Sequence, residues 1–180
     1  MVLLQRSARW TQEKREVFMA RYRRIFAALD GGDTQEAVAR RTLSIAHDNN
    51  AVVLFGCVID NTKFETGGIA DAVLVENKKQ AIEAALKRYL KRSSKDECIP
   101  SVDLKVAIGK VTDTLENELI KPFEPDLVIC GVRGLSNIKY AFVGSVSTHL
   151  VHNMGCDVLV VHPEAIEAVN YDEYPPDDED

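Results

Sequence analysis

Pro125-Asp126-Leu127-Val128-Ile129-Cys130-Gly131-Val132-Arg133-Gly134 is the stretch that decides the fold. It enters on a proline, runs through consecutive apolar residues with no polar alternation, and breaks on a glycine. Such a run, bounded by turn residues, marks a parallel strand buried on both faces. Downstream, the spacing predicts a helix over 143–154 with Gly155 as a left-handed stop. A second apolar run follows, Asp157-Val158-Leu159-Val160-Val161-His162, closed by Pro163.

Upstream the alternation repeats. Arg24-Ile25-Phe26-Ala27-Ala28-Leu29 reads as a first buried strand that stops at the turn Asp30-Gly31-Gly32-Asp33. Thr34 to Asp48 has helical spacing (Ala37, Val38, Leu43, Ile45, Ala46), ended by Asn49-Asn50. Ala51 to Ile59 is a second buried strand, followed by a polar loop over 60–68. A long helix is predicted from Ile69 to Lys91, with Val75, Ile82, Ala85, Leu86, Tyr89 and Leu90 on its core side. Asp103 to Ile108 alternates, as a strand near a sheet edge does. A helix over Thr112 to Lys121 is expected to end before Pro122. Alternation at this spacing predicts an α/β fold, a doubly wound five-stranded parallel sheet with helices on both faces. Ligands of such sheets bind beyond the carboxyl ends of the strands, where strand order reverses. Attention therefore falls on the turns after the first and fourth strands.

The 180 residues fit one domain, and a hydrophobic fraction of 46% supplies a core. No apolar run approaches the ~20 residues of a membrane span, and the start Met1-Val2-Leu3-Leu4-Gln5-Arg6 lacks a secretory apolar stretch, so a cytoplasmic location is expected. Cys57, Cys98, Cys130 and Cys156 form no C-x-x-C pair, and Cys57 and Cys130 lie inside apolar runs as small buried hydrophobes. The net charge of −6 is unevenly placed: seven bases face two acids in residues 1–24, and eight acids stand without a base in residues 164–180. A near-neutral body with opposite arms does not fit a nucleic-acid binder. Thr11 can cap a helix over Gln12 to Tyr22, so residues 1–22 read as a helical extension. Residues 23–164 read as the domain, and 165–180 as an acidic, proline-bearing tail expected to be disordered.

From Gly131 to Ser147 the glycines and serines follow G-x2-G-x9-G-S, with Gly131, Gly134, Gly144 and Ser145 at the fixed positions. Gly131 and Gly134 let backbone approach a ligand closely. Gly144-Ser145 lies at a helix start, where free amides and the positive dipole end favour a phosphate. Ser145 and Ser147 add hydroxyls, and Arg133 adds a cation. A glycine that merely turns the chain and a serine that merely caps the helix would explain single positions but not the whole spacing.

These residues resemble the nucleotide-binding subgroup of the universal stress protein family, whose pattern is G-x2-G-x9-G-(S/T). The resemblance runs from about Tyr22 to Pro163 and is strongest from Asp126 onward. It implies strand order 3-2-1-4-5 in an adenine nucleotide alpha hydrolase-like fold and a homodimer, expected to form through the final strand, Val158 to Val161. It also implies ATP or AMP bound between strands one and four. By that resemblance Asp30 contacts the nucleotide, Ala28 and Leu29 offer backbone beside the adenosine, and the backbone of Val58 meets adenine. Gly131, Arg133 and Gly134 lie along ribose and phosphates, and Gly144, Ser145, Val146 and Ser147 cradle the phosphates. Carboxylate and phosphate together could hold Mg²⁺. Gly32 stands where the family often has a hydroxyl residue, and Gly109-Lys110 replaces its glycine–proline.

The resemblance implies a nucleotide-binding regulator of the stress response rather than a dedicated enzyme. A slow ATPase or phosphate-transfer enzyme, with Asp30 near the γ-phosphate, and a nucleotide-free interaction protein are the alternatives. His149 and His152 share a helix without a third ligand nearby and read as a packed or exposed pair.

Overall fold

The computed structural model describes residues 22–32, 34–62, 69–132 and 144–162. The expected extension before Tyr22 and the acidic tail lie outside them, as do Arg133 and Gly134. Five parallel strands form one sheet of order β3-β2-β1-β4-β5. They are β1 (Arg24–Leu29), β2 (Val52–Asp60), β3 (Val102–Gly109), β4 (Leu127–Gly131) and β5 (Asp157–Val161). The helices are α1 (Gln35–Asn49), α2 (Ile69–Ala85), α3 (Lys87–Ser93), α4 (residues 111–123) and α5 (Ser145–Asn153). The fold class and the strand order expected from the sequence are both present.

Alternate residues of each strand feed two cores. Ile25, Ala27, Leu29, Val53, Phe55, Cys57, Leu127 and Ile129 pack with Ala37, Val38, Ala39 and Ala46 of α1 and with Ile82 of α2. Phe26, Leu54, Val128 and Cys130 pack on the other face with Leu115, Leu119 and Ile120 of α4 and Leu150 of α5. This two-sided burial explains the uninterrupted apolar runs. β3 is half-buried and alternates, with Asp103 and Lys105 exposed, as an edge strand should.

Three helix ends differ from the expected ones. The long helix bends at Leu86 (φ −98°, ψ 9°), although Leu86 still donates its amide to Ile82 and accepts from Leu90. The bend keeps Leu86 buried, brings Arg88 and Tyr89 onto Glu36 of α1, and leaves Ala85 exposed rather than in the core. α4 does not stop before Pro122. It widens into a π-helical stretch over Leu115–Ile120 and then takes Lys121–Phe123 into a last turn, capped by left-handed Glu124 (φ 49°). The wider turn gives the proline ring, which cannot donate to the ladder, room beside the carbonyls of the preceding turn. Gly155 is not the expected left-handed stop, since α5 ends where Met154 turns extended (φ −80°, ψ 139°). At the end of α1, by contrast, Asn50 does take the left-handed conformation (φ 56°).

Gly56 is required by packing. A Cβ there would lie 2.2 Å from Cζ and 2.7 Å from Cε2 of the fully buried Phe26 ring. Gly56→Ala is expected to lower unfolding free energy by about 1–3 kcal/mol, the usual cost of overpacking. Urea denaturation checks this, and an unchanged midpoint would show that Phe26 yields freely.

Candidate functional site

The site begins with a step in the sheet. The last β1–β2 pair is Leu29↔Cys57, yet β2 runs on through Val58, Ile59 and Asp60, paired with Ala107, Ile108 and Gly109 of β3. On the other side the last β1–β4 pair is Ala28↔Cys130, while β4 continues to Gly131, paired with Val161. β1 therefore stops short between two longer neighbours, at the point where the sheet reverses its order. This is where an open α/β sheet offers a ligand crevice.

Ala28 and Val58 are half-buried and project on the α4/α5 face. The Leu29 side chain is buried on the opposite face, so it can offer only backbone. Asp30 is exposed, and its Oδ1 accepts the Gly32 amide at 2.8 Å in a tight local turn. Gly31 in that turn has φ +76°, a conformation that favours glycine. The Asp30 carboxylate thus already shapes the turn while remaining open to solvent.

Gly144 is the N-cap of α5 and has no side chain with which to cap it. Ser145 is exposed, Val146 half-buried, and Ser147 1% exposed. The Ser147 hydroxyl donates to the Gly144 carbonyl at 3.0 Å, so this serine braces the first turn. What the turn presents outward is the backbone of 145–147 and the Ser145 hydroxyl.

The structure gives Gly131 a further reason to be glycine. A Cβ there would lie 2.7 Å from Thr34 Oγ1, 3.0 Å from Thr34 Cβ and 3.3 Å from Val38 Cγ2. Gly131 lets α1 pack against the end of β4. Gly131→Val would therefore disturb packing, and a loss of binding in that variant would not be specific to a ligand. Gly144 has φ −64° and ψ 164°, angles open to any residue, and so makes the cleaner substitution.

The sequence reading missed Lys78. It lies on α2 between Val75 and Ile82, on the stripe that faces the core, where an apolar residue would be expected. Its Nζ donates to the Asp30 backbone carbonyl at 3.3 Å and sits 2.2 Å from where a Gly31 Cβ would be. The stem is half-buried and the ammonium reaches over the β1 turn, as snorkelling lysines do. A charge on a buried stripe was the available signal.

The thiols nearby are buried, which favours their neutral form. Burial raises the Cys57 pKa, opposed by Lys78 and assisted by Asp30, and burial pushes Cys130 to about 11. α5 is held on α4 by Glu116, which accepts from His149 Nε2 at 2.7 Å and pairs with Lys121 at 2.9 Å. His149 is thus packed and His152 exposed, as the sequence suggested.

The family model of the universal stress protein family matches residues 21–162. The chain belongs to the universal stress protein family. A protein named as a universal stress protein in Staphylococcus saprophyticus is 29% identical over 148 residues, covering 82% of this chain and 88% of its own length. One in Staphylococcus aureus is 29% identical over 150 residues, covering 83% and 90%. Among solved structures, the universal stress protein UspA from Lactobacillus plantarum matches with a TM-score of 0.59 at 25% identity, over 78% of this chain and 98% of that one. A universal stress protein solved in complex with cAMP matches with a TM-score of 0.58 at 24% identity, over 79% and 98%. Among the described residues of this family member, no helix is long and apolar enough to cross a membrane.

Two outcomes follow from the geometry. In the native protein Cys57 and Cys130 should resist alkylation and react only on denaturation. Mass spectrometry of labelled peptides checks this, and native labelling of either would contradict the burial. The Glu116 carboxyl is held below its ordinary range by Lys121 first and His149 second. A depressed carboxylate contributes stability above its unfolded value and loses it as pH falls through the folded value. The melting temperature of Glu116→Gln should fall below that of the parent at pH 7, and the gap should close below about pH 4. A gap independent of pH would contradict the ion pair.

Proposed function

We propose that this universal stress protein binds an adenine nucleotide, ATP or AMP, in the crevice above β1 and acts as a regulator in the stress response. The observation that carries the reading is the step at the carboxyl end of β1, and four features support it. Ala28 and Val58 form an apolar seat on one face, and the overhanging β2 forms a wall. The uncapped first turn of α5 offers amides at Ser145, Val146 and Ser147, and Lys78 adds a cation. The seat suits a purine, while amides at a positive helix end together with an ammonium suit phosphate. Asp30 offers one carboxylate for ribose or for a phosphate-bound Mg²⁺, which would neutralise phosphate charge. Arg133 and Gly134 of the glycine loop belong to the same proposal. That a protein of the same fold has been solved with cAMP supports an adenine-bearing ligand for this chain.

The site arrangement favours binding over turnover. Asp30 spends one oxygen on its own turn, and Ser147 donates its hydroxyl to a carbonyl. Occupancy would then act on assembly. Among the described residues β5 forms one end of the sheet, with Val158, Leu159 and Val160 half-buried, and a strand at a sheet edge favours pairing with a second copy. We expect a cytoplasmic homodimer formed through this strand.

Titration calorimetry with ATP and with AMP tests the reading. The parent should bind at least one of them, Gly144→Val should bind neither, and Lys78→Ala should bind about tenfold or more weakly, as loss of a charge-assisted hydrogen bond implies. Equal affinity in all three, with circular dichroism unchanged, would refute the site.

A further inference from the structure

At the amino ends of the strands, opposite the crevice, three side chains of different donor type converge. His47 lies in the last turn of α1. Asp96 and Cys98 lie in the loop between α3 and β3. His47 Nδ1 is 2.8 Å from Asp96 Oδ2 and 3.0 Å from Oδ1. One nitrogen, one oxygen and one sulfur from these residues all lie within 4.8 Å of one another, and all three residues are half-buried. We propose that His47, Asp96 and Cys98 form a binding site for a borderline transition-metal dication, zinc above all.

The donor set is the first reason. Imidazole, carboxylate and thiolate are the side chains that bind zinc, at about 2.0–2.3 Å, which places ligand atoms about 3.3–3.8 Å apart around a tetrahedral ion. His47 and Asp96, at 2.8 Å, need part by only about half an ångström to reach that spacing, and rotation about the Cys98 side chain can bring the sulfur to it. Preorganisation is the second reason. The loop is a run of hydrogen-bonded turns: Ser94 donates to Leu90, Lys95 to Arg92, Asp96 to Ser93 and Ile99 to Asp96. The Cys98 amide donates to Asp96 Oδ1 at 2.9 Å, which orients the carboxylate from outside the set. Little backbone entropy is left to lose on binding. The third reason is exposure. With side-chain exposures of 40% for His47 and 23% for Asp96, an ion has an entry path, and water can complete a fourth position.

A His47–Asp96 ion pair alone would tie the loop to α1, but it gives the thiol no part. On metal binding, Cys98 releases its S–H proton to solvent, and the Nδ1–H that His47 donates to Asp96 leaves Nδ1, moving to Nε2 by way of solvent in a neutral imidazole or lost to solvent from an imidazolium, which frees the Nδ1 lone pair for the ion. The metal would cross-link the end of α1 to the segment entering β3, joining residues 49 positions apart. This site is separate from the crevice, and its existence does not depend on nucleotide binding.

The test is a Co²⁺ titration of the reduced full chain without nucleotide. One equivalent should produce a thiolate-to-cobalt charge-transfer band in the near ultraviolet, bleached by Zn²⁺. The band should persist in Cys156→Ser and vanish in Cys98→Ala. Asp96→Asn, which keeps an acceptor for the Cys98 amide, should weaken binding by about tenfold or more. Zn²⁺ should raise the melting temperature of the parent and leave that of Cys98→Ala unchanged. Absence of the band at one equivalent, its survival in Cys98→Ala, or an equal Zn²⁺ effect on both melting temperatures would overturn the proposal.

Discussion

The Asp126 carboxylate sets the register of β4 on β1, and the crevice depends on that register. It accepts the Arg23 amide at 2.7 Å and the Arg24 amide at 3.1 Å, while its own amide donates to the Arg24 carbonyl at 3.0 Å. Arg24 adds a second clamp, with Nε on the Phe123 carbonyl at 2.6 Å and its guanidinium over the Phe123 ring. Pairing then starts at Ile25↔Leu127. A slip of β4 by one residue would send Val128 and Cys130 to the wrong core. A slip of two would move the end of β1 relative to Gly131 and fill or flatten the step. Four hydrogen bonds and one cation–π contact at the amino end of the sheet thus determine the shape of its carboxyl end.

Close approach of backbone is the second constraint. Gly56 admits the Phe26 ring and Gly131 admits Thr34, the N-cap of α1, so both glycines serve packing. Gly144 differs, because its angles suit any residue. Its value lies in leaving the α5 amides uncovered. The same letter in one motif therefore answers to two physical demands, and only coordinates separate them.

The strands were legible because each is buried on two faces, which writes an unbroken apolar run into the sequence, and β3 alternates because it lies at an edge. Helix ends were less legible. The bend at Leu86 and the π-helical stretch before Pro122 answer to tertiary packing, which local propensity does not record. Of the candidate site, Asp30, Gly131 and Gly144 could be placed by their positions at strand ends and a helix start. Ser147 was visible, but its hydroxyl bond to Gly144 was not. Lys78 carries no motif, and its place above Gly31 arises from α2 crossing the end of β1. His47, Asp96 and Cys98 were invisible for a related reason: their juxtaposition is made by the fold, which sets the end of one helix against one loop, not by spacing.

The central claim is that a nucleotide lies over the end of β1 with its phosphates on the first turn of α5. Amide-resolved NMR during addition of ATP tests this most directly. The account predicts the largest shifts at Gly31, Gly32, Val58 and Ser145 to Ser147, with the amides around His47 and Cys98 at the far end of the sheet unmoved. Shifts confined to that far end, or none at Ser145 to Ser147 at saturating ATP, would contradict it.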